Sequence, residues 1–151
     1  MKVLIVGGVA GGAGTAARLR RNDETAEIVM FEKGPYISFA NCGLPYYIGG
    51  VITEKEKLQL QTPESFHARF DVDVRVNSKV VAVDTAAKQV TVRKVLTGEE
   101  YTESYDTLVL SPGASPVRPP IKGIEKAKVF TLRNIPDTYA IKDYVDSQKP
   151  R

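Results

Sequence analysis

The sequence of 151 residues has one cysteine, one histidine and no tryptophan. A single cysteine excludes a disulfide bond within the chain. No apolar stretch approaches the ~18 residues that a membrane-spanning helix needs. No signal peptide precedes the first apolar run, which starts at Val3. We therefore expect a cytoplasmic protein without a membrane partner.

Blocks of like charge are also absent. The net charge is only +3, and the short basic run at residues 18–21 is too small to indicate nucleic-acid binding. The histidine and the cysteine do not lie at metal-ligand spacing with carboxylates, so we expect no metal. With 42% hydrophobic residues, the chain is long and apolar enough for a packed domain.

The first 31 residues predict a strand, a glycine-rich turn, a helix and a second strand. Residues 3–6 and Glu27–Phe31 are short continuous apolar runs, which are typical of strands buried on both faces. Residues 11–22 between them are rich in alanine, leucine and arginine. A unit of this length joins two parallel strands through a crossover helix, so we predict an α/β fold with a parallel sheet.

Later segments predict a small antiparallel meander beside that sheet. A helix is predicted to start with a cap, a first-turn proline and an early acid at Thr62, Pro63 and Glu64, and to continue to about Phe70. Alternation of apolar and polar residues, with a turn at 97–99, predicts extended segments at 72–76, 80–84, 89–95 and from Tyr101. Further predictions are a buried strand at 106–110, a strand at 129–132 and a helix at 136–147.

The glycine-rich turn has most of a dinucleotide-binding fingerprint. A glycine turn between a strand and a helix directs backbone N–H groups at a phosphate. The three fingerprint positions are Gly7, Val9 and Gly12, so valine replaces the middle glycine. Glu32 ends the second strand, where a carboxylate can accept hydrogen bonds from ribose hydroxyls. Together these features predict dinucleotide binding.

The only cysteine, Cys42, lies in the stretch SFANCGLPYY. The thiolate is the nucleophilic form of cysteine, and a helix N-terminus close to Cys42 would favour it. Pro45 suits the first turn of such a helix. Asn41 can cap the helix or bind a ligand, and Ser38 adds a hydroxyl. The residues alone leave two alternatives open, a reactive thiol and a buried inert side chain.

Four stretches follow one another at the spacing of a known family: VGGVAGG, FEKGPYISFANCGLPYYIGG, YDTLVLSPGASP and VFTLRNIPDT. Over the whole chain the sequence resembles the start of the pyridine nucleotide-disulfide oxidoreductases. Within them it resembles the single-cysteine branch of coenzyme A-disulfide reductases, NADH oxidases, peroxidases and polysulfide reductases. The full SFANCGLPYY form is most similar to the coenzyme A-disulfide reductases.

The resemblance implies a Rossmann-like FAD/NAD(P)-binding fold with FAD as cofactor. The ADP half would lie on the glycine turn and Glu32, with Lys33 near the adenosine and the backbone of Val80 or Val81 against the adenine. SPGA resembles a second flavin motif, Arg133 matches a flavin-contacting arginine, and Cys42 would lie against the flavin. The implied cofactor-binding residues are Gly7, Gly8, Val9, Ala10, Gly11, Gly12, Glu32, Lys33, Cys42, Val80, Ser111, Pro112, Gly113, Ala114 and Arg133.

The resemblance also implies a catalytic relay through Cys42. NADH or NADPH would reduce FAD, and Cys42 would then cycle between thiolate and a mixed disulfide with coenzyme A. In oxidase and peroxidase relatives the cycle runs through a sulfenic acid. The implied substrate residues are Arg18, Arg21, Ser38 and Asn41, whereas Gly14 lacks a hydroxyl that some relatives carry at this position.

In this family the FAD-binding domain is discontinuous. We therefore expect residues 1–151 to be the N-terminal part of such a domain, from an enzyme whose NAD(P)-binding and dimerisation domains are not in this sequence. The parent would be a homodimer that reduces coenzyme A disulfide, persulfide or polysulfide, and the 151 residues alone would be inactive. The alternatives are an NADH oxidase or peroxidase and, in another class, a non-catalytic nucleotide-binding module.

Overall fold

The structure is a computed structural model that describes residues 1–148, and the backbone falls into two compact units. The first unit contains Met1–Phe39 and Gln61–Gly113, and the second contains Ala40–Leu60 and residues 114–148. The strands are β1 (Lys2–Val6), β2 (Glu27–Phe31), β3 (Asp73–Arg75), β4 (Ser78–Asp84), β5 (Gln89–Lys94), β6 (Glu100–Ser104) and β7 (Thr107–Leu110). The α-helices are α1 (Ala10–Asn22), α2 (Leu44–Ile48), α3 (Pro63–Phe70) and α4 (Ile135–Gln148).

The first unit is built on a parallel sheet in the order β3-β2-β1-β7. All three strand pairs are parallel, with Ile5 opposite Met30 on β2 and opposite Val109 on β7. Because side chains alternate along a strand, Val3 and Ile5 pack in the cluster that contains Ala13 of α1. The predicted strand–turn–helix–strand unit and the parallel sheet are confirmed.

The second sheet is the antiparallel meander β4-β5-β6. Val90 and Val92 of this meander are buried against Leu4, Val29 and Phe31. These three residues are on the alternate positions of β1 and β2, so the meander packs on the sheet face opposite to the α1 cluster. The predicted meander is confirmed for these three strands.

A network of charged side chains ties the two sheets together. Lys2 Nζ lies 2.6 Å from Glu103 Oε1, and Arg75 Nη1 lies 2.6 Å from Glu103 Oε2. Arg75 also pairs with Asp73 at 2.7 Å. The Glu103 side chain is only 17% exposed, so this carboxylate is held between two cations away from most solvent.

Three predictions about strands are wrong or need correction. Residues 72–76 were expected in the antiparallel meander, but β3 pairs parallel with β2 because the buried Val72 and the partly buried Val74 complete the α1 cluster. The strand expected to be buried, β7, is partly exposed, since among the described residues it has a strand neighbour on one side only. Residues 129–132 form no strand; the ring of Phe130 packs on Tyr144 instead, with centroids 5.1 Å apart.

The second unit contains α2 and α4. Leu44 and Tyr47 of α2 and Ile135 of α4 are buried, and the Tyr47 ring meets Tyr139 edge-on at 5.9 Å. Helix α4 begins one residue before the predicted start, where Asn134 Oδ1 accepts a hydrogen bond from the Asp137 N–H at 2.9 Å. Helix α3 has its predicted limits.

Candidate functional site: a glycine turn and an exposed thiol

The glycine turn between β1 and α1 needs glycine at two of the three fingerprint positions. Gly7 has φ +101°, and a Cβ there would overlap the carbonyl oxygen of Ser111. A Cβ on Gly12 would overlap the carbonyl oxygen of Gly7. Val9 has a negative φ of −97°, so this position does not need the positive φ that favours glycine. The middle position therefore tolerates valine because the close backbone contacts are made on either side of it.

The N-terminus of α1 leaves backbone donors available. The first hydrogen bond of the helix is donated by the Ala13 N–H to Val9 O, at 3.1 Å. The N–H groups of residues 10–12 therefore have no acceptor within the helix. Among residues 1–148, no side chain caps the helix at Val9, and its first turn contains no acidic residue. A helix end with free N–H groups and no competing carboxylate suits a phosphate.

Glu32 follows β2 and is 9% exposed. Its Oε2 accepts a hydrogen bond from Gly8 N at 2.8 Å, and its Oε1 accepts one from Gly34 N at 2.9 Å. Each carboxylate oxygen can accept a second hydrogen bond, so the group is fixed in place and still able to accept from a ribose hydroxyl. Lys33, the next residue, is exposed.

The meander starts beside Glu32, because the Ser78 N–H donates to Glu32 O at 2.9 Å. The register between β4 and β5 shifts between Val80 and Ala82, so Val81 has no opposite residue. Such a bulge leaves backbone groups without ladder partners. The expected adenine contact at Val80 or Val81 stays a prediction, and this irregularity gives it a physical basis.

Ser111, at the end of β7, lies against the same turn. Its N–H donates to Val6 O at 2.8 Å, and a Cβ on Gly11 would lie 3.0 Å from Ser111 Oγ. The structure thus brings the predicted residues Ser111 and Pro112 next to the glycine turn. Ala114 belongs to the second unit, where its carbonyl accepts a hydrogen bond from Arg133 Nε at 3.0 Å.

These observations test whether FAD fits the first unit. The turn has close backbone contacts that exclude side chains, free helix N–H groups and a buried carboxylate with spare acceptor capacity. Phosphates and a ribose need these donors and acceptors in this arrangement. The residues present therefore fit the ADP half of a dinucleotide cofactor.

A groove of about 520 Å³ runs along the outer face of α1. It is lined by Gly11, Gly14, Thr15, Arg18, Leu19 and Asn22. Arg18 lines this shallow, open groove, while Arg21 is exposed and is not among the lining residues; the ligand contacts expected of both stay predictions. Ser38 has φ +43°, and its N–H donates to Gly8 O at 2.9 Å.

Arg20 of α1 has a structural role that the sequence interpretation missed. Its Nε donates to Phe70 O, and its Nη2 donates to Ala26 O and Asp71 O, at 2.8–2.9 Å. Its Nη1 donates to two further carbonyl oxygens in residues 23–24. The guanidinium therefore ties α1 to the start of β2 and the end of α3. No sequence signal distinguishes it from Arg18 and Arg21, since all three belong to one basic run.

Cys42 is exposed and free. It lies in a 3-10 turn, Asn41–Gly43, that leads into α2 with Pro45 in the first turn, so the expected helical start is confirmed. The alternative of a buried inert cysteine is wrong. Of the two roles considered for Asn41, the helix cap is wrong, because no side chain among residues 1–148 caps this turn or α2. Asn41 Oδ1 instead accepts a hydrogen bond from Arg133 Nη1 at 3.0 Å. Among residues 1–148, no group of three or more His, Cys, Asp or Glu could hold a metal ion.

Comparison with known proteins decides the family. The family model described as "Pyridine nucleotide-disulphide oxidoreductase" matches residues 1–149. The chain belongs to this family. Its curated relatives include the coenzyme A disulfide reductase of Staphylococcus haemolyticus, which is 41% identical over 150 residues, covering 99% of this chain and 33% of the relative.

Two solved structures are also similar to almost the whole chain. Reduced CoADR-RHD from Bacillus anthracis is 60% identical with a TM-score of 0.96, covering 99% of this chain and 27% of that one. An NAD-dependent persulfide reductase from A. fulgidus is 34% identical with a TM-score of 0.90, covering 97% and 28%. The chain therefore spans about a third of the length of the curated relative, and the Rossmann-like α/β fold of the family is confirmed.

Proposed function

We propose that this chain is the FAD-binding part of an NAD(P)H-dependent oxidoreductase that reduces coenzyme A disulfide through Cys42. The observation that carries the proposal is Cys42 itself, the only thiol of the chain, which is exposed and free. The substrate is supported by the curated relative named coenzyme A disulfide reductase, at 41% identity over almost the whole chain. NAD(P)H binding and homodimer formation belong, in this proposal, to further sequence that the relatives carry.

The proposed roles follow from the site. Residues 7–12 would bind the pyrophosphate, Glu32 the ribose, and residues 111–113 the flavin side of the same turn. Arg18 in the α1 groove would pair with phosphates of coenzyme A, with Arg21 one turn further along the helix. When bound, FAD supplies two electrons that it receives from NADH or NADPH.

Cys42 would perform thiol–disulfide exchange. Its thiolate attacks one sulfur of coenzyme A disulfide, the S–S bond breaks, and one coenzyme A leaves as a thiolate. Cys42 is then held in a mixed disulfide with the second coenzyme A. Two electrons and one proton release that coenzyme A as a thiol and restore the Cys42 thiolate. An exposed thiol is required for this step, because the attack on the disulfide is direct.

The intact mass of the purified protein, with and without reductant, tests the proposal. We expect an adduct with the mass of coenzyme A that reductant removes and that is missing from the variant Cys42→Ser. The protein is made in the longest natural form of the polypeptide, so that all cofactor contacts are present. Reduced and alkylated wild type is the control for the accessibility of the thiol.

Other outcomes separate the alternatives. Oxygen additions on Cys42 without coenzyme A would favour the oxidase or peroxidase mechanism through a sulfenic acid. Extra sulfur on Cys42 would favour persulfide reduction, which the similarity to the A. fulgidus persulfide reductase supports. If Cys42→Ser leaves every activity of the protein intact, the chain is a nucleotide-binding module and the proposal is refuted.

A further inference from the structure

Arg133 connects three segments of the second unit immediately before α4. Its Nε donates to Ala114 O at 3.0 Å, and its Nη1 donates to Asn41 Oδ1 at 3.0 Å. Its backbone N–H donates to Asp137 Oδ2 at 2.9 Å, inside the first turn of the helix. Both the backbone and the guanidinium of Arg133 are therefore fixed, and the guanidinium holds the residue that precedes Cys42.

This contact determines the orientation of the Asn41 amide. A guanidinium has only donors, so it must face the oxygen of the amide and not the nitrogen. The Nδ2 of Asn41 is then directed away from Arg133, and no acceptor for it is found among residues 1–148. Asn41 is exposed, so this N–H₂ group is accessible to a ligand. Next to Cys42, the chain thus offers a fixed hydrogen-bond donor.

We infer that Arg133 is a positioning residue, which holds Asn41 so that Nδ2 donates to the substrate bound at Cys42. The inference rests on the proposed function, because the substrate is coenzyme A disulfide. The pantetheine arm of coenzyme A carries amide carbonyls beyond its sulfur, and a carbonyl is the acceptor that an N–H₂ group requires. Without Arg133, the Asn41 amide would rotate and would offer donor and acceptor equally.

The readout is the ratio of two rates of mixed-disulfide formation on Cys42. One reagent is coenzyme A disulfide, and the other is dimethyl disulfide, which has no carbonyl. Both are followed by intact mass on the longest natural form of the polypeptide. The ratio cancels changes in the reactivity of the thiol itself, and a variant that unfolds would change both rates together.

We expect Arg133→Gln and Asn41→Ala each to lower the ratio about five-fold, the effect of one hydrogen bond. In the double variant the ratio should fall no further, because both changes remove the same interaction. Asn41→Asp keeps acceptors for Arg133 but has no donor, so its ratio should also fall. Arg133→Lys should behave like Arg133→Gln, because an ammonium cannot hold Ala114 O and Asn41 Oδ1 in the fork geometry. The control Arg118→Gln removes one exposed positive charge from the same unit and should leave the ratio unchanged.

Different failures overturn different statements. If Arg133→Gln keeps the wild-type ratio, or lowers it equally in the Asn41→Ala background, Arg133 does not act through Asn41. If Arg133→Lys keeps the wild-type ratio, the positive charge is what matters and the inference is also wrong. If the wild type reacts with dimethyl disulfide but forms no adduct with coenzyme A disulfide, the proposed function fails.

Discussion

Two glycines on the same helix are expected to respond to alanine in opposite directions. Gly12 and Gly14 are both in α1, two positions apart. A Cβ on Gly12 would overlap the carbonyl oxygen of Gly7 and would lie 3.1 Å from the Ile5 side chain. A Cβ on Gly14 would meet no heavy atom of the described residues within 4 Å. The pair therefore separates the helix propensity of alanine from the packing of α1 on β1.

The magnitudes follow from these contacts. Gly14→Ala should raise the free energy of unfolding by about 1 kcal/mol, the difference in helix propensity between the two residues. Gly12→Ala gains the same propensity, but α1 must move away from β1, and the buried Ala13 and Ala16 lose packing with it. Overpacking of this kind costs about 3 kcal/mol, which leaves a net loss of about 2 kcal/mol.

Thermal and urea unfolding followed by circular dichroism measure both changes. For a chain of this size the midpoint should rise by about 2–4 °C in Gly14→Ala and fall by about 4–8 °C in Gly12→Ala. Each variant is the control for the other, since the chemical change is identical. If Gly12→Ala unfolds at or above the wild-type temperature, the close approach of α1 to the turn is not as described. A destabilised Gly14→Ala would show that the groove face of α1 has a contact that we have not identified.

Two further predictions concern side chains with many partners. Arg20→Lys should lower the free energy of unfolding by about 3 kcal/mol, since an ammonium cannot reach all the carbonyl oxygens that the guanidinium binds. The control Arg21→Lys should change the free energy of unfolding by less than about 0.5 kcal/mol. Equal melting temperatures of the two variants would contradict the structural role of Arg20. Burial alone raises the pKa of Glu103, but hydrogen bonds from Lys2 and Arg75 outweigh it and hold that pKa below its usual value of 4.5. The stability that this carboxylate contributes is therefore present above pH 4.5 and is lost as the pH falls through the lowered pKa. Compared with the wild type, Glu103→Gln should be less stable by about 2 kcal/mol near neutral pH, and it should lose less stability in acid. Parallel acid-unfolding curves for the two proteins would refute this assignment.

Local sequence signals predicted most of the elements. The apolar runs before the glycine turn and at Glu27–Phe31, and the capped start of α3, each depend on neighbouring residues only, and each element formed as expected. Local signals were weaker where the structure of a segment depends on which strand it pairs with. An alternating pattern at 72–76 could not distinguish a parallel edge strand from a meander strand, because both have one buried face. Residues 129–132 are apolar enough for a strand but pair with no strand in the part of the chain that the structure describes.

The candidate site residues also divide into those that the sequence predicted and features that only the folded chain shows. The glycine positions, Glu32 and Cys42 were found in the sequence, because their chemistry depends on residue type and spacing. The sequence could not show that the close contacts of the turn fall at Gly7 and Gly12 and leave Val9 between them, because the contact of Gly7 with Ser111 exists only in the folded chain. It also could not separate Arg20 from Arg18, because burial against distant carbonyl oxygens exists only in the folded chain.

The sequence by itself therefore determined which residues can carry the chemistry and which short segments form helices and strands. Only the tertiary structure decided how they are combined. It placed Ser111 against a turn about 100 residues earlier, and Arg133 against Asn41, 92 positions away. Contacts over such separations depend on the packing of whole elements, and no local pattern encodes them.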